Sequence, residues 1–428
     1  MKISGICGLK KAWPSYALAI LYTLFIFLTI PYVRTIQKYV YSNLGKSAFG
    51  YFVLIILGVG FVGTFFYLKH RPGRKISKQN YLWLTLVFSL YCYFTITLWE
   101  APEEAIHFLE YGLLSYLVYR ALCYHIKDVT IFFVASLIIF MIGTIDEIIQ
   151  WLVPSRYWDF RDVWLNFLAG GLFQICLWKG IQPDAISKRV TPGSIRILLT
   201  TAAGCLILLG ICASNTPDRV FNYSAKMPFL SFIGNNEIMM NEYGHRLSDK
   251  EIGIFYSRFT KEELRSIDNL KKLHYSNILN AAQAKDYSQF IKAYNPLAAP
   301  FLYEMRSHIF QRDKFLALAE KETEKIDLDK ENLTLAFKEN LILEKYFGET
   351  LRHSAYLWPI AEVEKYKKIV DLNLPYESLV SSELFTTFTE RELWIGIGVF
   401  LILLIAINVF FSRLHRLDTK GLFTVINP

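Results

Sequence analysis

Between Asp146 and Gly171 the chain reads DEIIQWLVPSRYWDFRDVWLNFLAGG, with apolar sequence on both sides. Asp146, Glu147, Gln150, Arg156, Asp159, Arg161, Asp162 and Asn166 all fall within it. Ionisable groups at the edge of a hydrocarbon span are costly unless they are paired or face a protein-lined polar cavity, so such a cluster reads first as a functional site. Upstream, EAPEEAIHFLEYGLL places Glu103, His107 and Glu110 at i, i+4 and i+7, one stripe of a helix, with Tyr111 four residues past His107. Of two acids held close together in partly dry surroundings, one keeps its proton and the other stays ionised, which supplies an acid and a base. Asp146 or Glu147 is the expected base, with His107 or Glu110 as its partner. Tyr111, Gln150, Asp162 and Asn166 are expected to hydrogen-bond a substrate, and Arg156 to hold its phosphate or carboxylate.

The reaction class would be hydrolysis or group transfer on a lipid-linked or wall-associated molecule. No Ser, Cys or Thr nucleophile motif stands out. Ser115 lies in the right helix without one. A divalent cation held by Asp146, Glu147, Glu110 and Asp162 is a further reading, although no metal-binding spacing is present and the sequence names no cofactor. Two non-catalytic readings stand beside the enzyme. The cluster could bind an envelope precursor or an antibiotic headgroup, or couple the two parts of the chain. It could also be a polar network that only locks helices together.

The elements that must position these residues are apolar helices. The chain is 53% hydrophobic and 16% aromatic. That apolarity is concentrated in runs of about 20 residues, the length of a membrane-spanning helix. Eight are expected: 13–33, 49–68, 81–99, 105–122, 129–152, 163–177, 195–213 and 393–411. The first follows Lys10 and Lys11 and resembles a signal peptide, but it is long, Pro31 closes it and no small-x-small site follows, so it reads as an uncleaved helix. The fold class is therefore all-α: a polytopic membrane protein with a separate helical domain. The boundaries expected are 1–78, 79–213, 214–392 and 393–428.

Lys/Arg bias sets the orientation. Outside residues 214–392 there are 22 Lys and Arg, and 17 of them share one face when the spans alternate. Both termini are then cytoplasmic, and residues 214–392 lie outside the membrane on the far side. Eight of the 11 acids in the membrane part gather at that far side: Glu100, Glu103, Glu104, Glu110, Asp146, Glu147, Asp159 and Asp162. The net charge of +8 thus follows topology and gives no reason to expect nucleic acid as a partner; membrane lipids are the expected surroundings. The six cysteines lie in or near the spans and make no disulfide framework.

After the seventh span, SNTPDRVFNYSAKMP reads as a loop. Helices are expected over 257–279, 281–293, 300–323, 329–347 and 359–370, separated by Asn-Pro, Gly or charged breaks. Two polar stretches, NEYGHR and EMRSHIFQRD, read as salt-bridged helix surface.

Residues Pro102–Gly171 resemble the VanZ-like membrane family. HFLEYGLL and DEIIQWLVPSR…D…RDVWLNFLAGG carry the resemblance. His107, Tyr111, Asp146, Glu147, Gln150, Pro154, Arg156, Asp162, Asn166 and Gly170 match the family's pattern. Glu104 stands where many members have Lys, Ile149 where many have His, and Ser155 where many have Gly. The resemblance implies an envelope protein of the bacterial cytoplasmic (inner) membrane, with a link to glycopeptide (teicoplanin) resistance in one member. It implies no established reaction.

Overall fold

The computed structural model describes residues 4–72, 76–154, 156–235, 240–282, 286–321 and 329–419. Lys2, Arg74, Lys75, Ser155, Thr323 and Lys420 lie outside them. The chain divides into two compact units. One comprises residues 1–153, 158–210 and 396–428, the other residues 154–157 and 211–395.

In the first unit, α1 (Ser4–Thr29) runs through a 3-10 turn (Ile30–Tyr32) into α2 (Val33–Leu44). Pro31 follows directly on the end of α1 at Thr29, as expected. It sits in the opening positions of the 3-10 turn, where its missing N–H removes no bond. Then follow α3 (Ala48–Lys69), α4 (Lys78–Thr97), α5 (Ile106–Leu122), α6 (Thr130–Trp151), α7 (Phe160–Ile175) and α8 (Pro192–Ala213). Among the described residues, five helical segments are long and apolar enough to cross a membrane: Ala12–Leu44, Ala48–Lys69, Thr130–Trp151, Pro192–Ala213 and Glu390–Arg413. The other three expected spans are helices that fall short by length or composition. α5 is preceded by a 3-10 turn (Pro102–Ala105), and α7 continues as a π-helical turn (Cys176–Ile181). With these extensions each reaches about 30 Å at the α-helical rise of roughly 1.5 Å per residue. The π turn frees carbonyls, and α4 answers them: the buried Asn80 amide donates to Gly180 O at 2.7 Å.

Tyr91, Phe108, Tyr111, Leu114, Ile139 and Ala169 form the core where α4 to α7 meet. At the other end of α6, the buried Asp128 accepts from Thr130 N at 3.0 Å and from Thr191 N at 2.9 Å, tying together the starts of α6 and α8.

The second unit is mostly helical. The segment expected as a loop after α8 instead forms α9 (Pro217–Lys226), because Pro217 is the first helical residue after an extended Thr216. Among the described residues one small two-stranded sheet joins the helices of this unit, in keeping with the all-α expectation. β1 (His245–Asp249) and β2 (Gly253–Ser257) form an antiparallel hairpin with Leu247 opposite Phe255. Gly253 has φ +121°, and a Cβ there would stand 2.2 Å from Tyr376 O, so no other residue fits. Next come α10 (Lys261–Ala281), α11 (Tyr287–Ala293), α12 (Pro300–Lys321), α13 (Lys330–Tyr346), α14 (Gly348–Arg352), α15 (Ile360–Lys367) and α16 (Leu379–Leu384); α17 (Glu390–Thr419) starts in this unit and belongs to the first from residue 396 on. α10 starts at a Thr260/Glu263 capping box, four residues later than expected. α14 depends on a residue distant in sequence: buried Asp268 accepts from Glu349 N and Thr350 N, both at 2.8 Å. Phe255, Phe290, Phe301, Met305, Leu343 and Phe347 fill the core.

Candidate functional site at the acidic end of the bundle

Pro102 opens the 3-10 turn that leads into α5, and this turn and helix carry five of the polar side chains. Glu103 accepts from Gln37 Nε2 at 2.6 Å and from the Tyr41 hydroxyl, both on α2. Glu104 pairs with Arg161 Nη2 at 2.5 Å. One turn on, His107 Nδ1 stands 3.8 Å from Glu110 Oε2, and the His107 ring lies 6.0 Å from that of Tyr111.

The last turns of α6 supply Asp146, Glu147 and Gln150. Asp146 is 2% exposed and Glu147 not at all. Gln150 Nε2 spans both carboxylates, donating to Glu147 Oε1 at 2.5 Å and to Asp146 Oδ2 at 3.2 Å. The other oxygen of Glu147 accepts from Asp159 N at 3.2 Å. Glu147 is thereby fixed on two sides. Asp146 lies within electrostatic reach of Glu110 and Tyr111 on α5.

Asp159 caps α7, and Asp162 lies in its first turn, where its charge complements the helix dipole. The Asp159 backbone is extended, and its carboxylate accepts from Arg161 N at 2.8 Å. Asp162 sits half-buried beside Glu104. One turn deeper, Asn166 is completely buried and packs on Gly143 of α6, where a Cβ would come within 2.9 Å of Asn166 Cβ. Neither polar atom of the Asn166 amide meets a hydrogen-bond partner among the described residues. Buried polar groups are normally satisfied, so this amide reads as a group that awaits a partner. Below it, Gly170 lies against Ile139, Ser115 Oγ donates to Gly170 O at 2.9 Å and Tyr91 OH to Ala169 O at 2.6 Å.

Three mutually packed helices thus bring His107, Glu110, Tyr111, Asp146, Glu147, Gln150, Asp162 and Asn166 to one end of the bundle. Arg156 is half-buried in the short segment 154–157, which groups with the second unit. Among the described residues no set of three or more His, Cys, Asp or Glu side chains is arranged to hold a metal ion.

Residues 14–182 match the family model VanZ/LLP1. This part of the chain is VanZ-like. No curated protein and no solved structure matches the chain.

The match reaches well upstream of Pro102, so the VanZ-like region includes α2, which lies between the first two expected spans. Gln37 and Tyr41, which hold Glu103, were missed for that reason. Their i, i+4 spacing on a polar helix was the available signal. Glu104, a departure from the family's pattern, is also part of the cluster, through Arg161.

Outside the VanZ-like region, EMRSHIFQRD is not helix surface. Glu304, Arg306, His308, Gln311 and Arg312 are all buried. His308 Nδ1 lies 2.6 Å from Glu339 Oε2, and the other oxygen of Glu339 accepts from Ser378 Oγ at 2.6 Å and from the Tyr376 hydroxyl. Glu339 stands a helix away in sequence, so no local pattern announces the pairing. His245 and Arg246 are exposed, as expected, but on strand β1.

Proposed function

We propose that the acidic end of the VanZ-like region is a site for hydrolysis or group transfer on a lipid-linked or wall-associated envelope molecule. The observation that carries this reading is the pair of buried, adjacent carboxylates Asp146 and Glu147, bridged by Gln150 and set beside His107 and Glu110 of α5. Glu147 is held in place by two donors, which makes it the positioning acid. Asp146, turned to α5, serves as the base, with His107 or Glu110 returning the proton to the leaving group. Tyr111, Asp162 and Asn166 hydrogen-bond the substrate.

The Lys/Arg bias supports a place in the bacterial cytoplasmic membrane, with both termini cytoplasmic and residues 214–392 outside. The site then opens to the outer leaflet. A binder without turnover, for an envelope precursor or a glycopeptide antibiotic, is the second reading. It is favoured by Glu103 and Glu104, which are both already engaged by protein partners at the mouth.

Full-length protein in lipid nanodiscs, incubated with bacterial envelope lipid extract, tests the choice by mass spectrometry. Conversion of a lipid species that Asp146→Asn abolishes at unchanged protein amount supports the enzyme. Binding without conversion supports the second reading. No conversion and no binding removes both.

A further inference from the structure

The first unit contains a cavity of about 530 Å³, within the range of roughly 300–1,000 Å³ typical of ligand pockets. Its walls are apolar side chains from α3, α4 and α5, among them Phe52, Ile56, Phe88 and Leu113, with Tyr22 and Cys176 at its edges. Phe52, Ile56 and Leu113 are exposed, so the cavity opens on the flank of the bundle. One carboxylate stands in this wall: Glu110, 28% exposed and 3.8 Å from His107. Along α5 the lining runs from Ile106 to Tyr116. At roughly 1.5 Å per residue that is about 15 Å, half of a hydrocarbon core about 30 Å thick. The cavity therefore has the length of one leaflet and begins at the end of the bundle that carries the acids.

We infer that this cavity holds the hydrocarbon chain of a membrane amphiphile whose head bears hydroxyl or amine donors and meets Glu110. A chain leaving the bilayer for an apolar cavity exchanges one hydrocarbon surrounding for another, so the walls confer little selectivity. Selectivity lies at the polar end. There the Glu110 carboxylate disfavours a bare phosphate and favours a hydrogen-bond donor or a cation. The cavity and Glu110 stand on geometry alone; only the placement of the head as substrate rests on the function proposed above.

The test uses full-length protein in nanodiscs doped with phosphatidylethanolamine or phosphatidic acid, each carrying a diazirine on one acyl chain. Crosslinked residues are mapped by mass spectrometry. The amine-headed probe should label Ile56 and Leu113 at least fivefold more than the phosphatidic acid probe. Gly60→Phe should abolish this labelling. Gly60 lines the cavity with nothing within 4 Å of its Cβ position, so a ring there fills the space without a backbone clash. Gly58→Phe, equally uncrowded but outside the lining, should leave it intact. Leu113→Trp is a second filling variant, read by labelling at Ile56. Glu110→Gln should keep chain labelling and erase the preference between heads. Equal labelling in wild type and both filling variants, or equal labelling by both probes in wild type, overturns the inference. Cavity labelling by a protein that converts no lipid sinks the catalytic reading and leaves this one standing.

Discussion

Arg161, in the first turn of α7, reaches Glu104 in the turn before α5 with Nη2 and Oε1 2.5 Å apart. Its side chain is 63% exposed, and pairs of that kind contribute at most about 1 kcal/mol. Its importance is in register, because it joins two segments that each carry cluster residues. A double-mutant cycle of Glu104→Gln and Arg161→Gln should give a coupling energy below about 1 kcal/mol in thermal unfolding. A larger coupling would mean that the pair is a stability element.

Gln150 bridges the two buried acids of α6, and Gln150→Ala removes a donor from each. Leaving a buried acceptor unsatisfied costs roughly 1–3 kcal/mol. Gln150→Ala should therefore lower membrane abundance and melting temperature, whereas the isosteric Asp146→Asn should change neither while abolishing function. If Asp146→Asn loses abundance as much as Gln150→Ala does, the cluster is a helix lock and not a site.

Much of this was legible in the sequence. Apolar runs and capping residues marked the helices, and polar residues inside apolar runs marked the cluster. The illegible parts share a physical cause: each depends on a partner distant in the chain. Gln37 and Tyr41 matter because α2 passes Glu103, which only the fold decides. Glu304 and His308 look like surface until Glu339 and Arg258 are seen beside them. Asp159 and Asp162 both have the residue type of a helix cap, and the extended backbone that a cap needs is at Asp159.

Ala169, Gly170 and Gly171 are all small enough for close helix packing, and the structure separates them. A Cβ on Gly170 would lie 2.6 Å from Ile139 Cγ2, whereas one on Gly171 meets nothing within 4 Å. Overpacking at such a contact typically costs about 1–3 kcal/mol. Gly170→Ala should therefore lower the melting temperature of the full-length protein, and Gly171→Ala should leave it unchanged. Equal effects of the two would refute the close approach of α6 and α7 at Ile139.

The second unit should lose stability as pH rises from weakly acidic to neutral. Glu304 and Glu242 both meet Arg258: its backbone N donates to Glu304 Oε2 at 3.2 Å, and its Nε lies 3.2 Å from Glu242 Oε1. Burial outweighs the pull of His308 and Arg258 on Glu304 and of Arg258 on Glu242, and pushes each carboxyl up to about 7 from an ordinary 4.5. Between those values the folded chain holds protons that the unfolded chain has released, so the stabilisation is complete below about pH 4.5 and lost as pH climbs to about 7. A shift of this size corresponds to something on the order of 3 kcal/mol for one such group. The two acids feel each other, so their contributions do not simply add. Hydrogen exchange of α12 amides in the full-length protein, corrected for intrinsic rates, should show protection falling between pH 5 and pH 7. Glu304→Gln should flatten that slope by about half, and the double variant with Glu242→Gln should abolish it. A slope of the opposite sign would show that groups pushed the other way, such as Asp249, held low by hydrogen bonds from Lys345 and Glu251 N despite its burial, dominate instead.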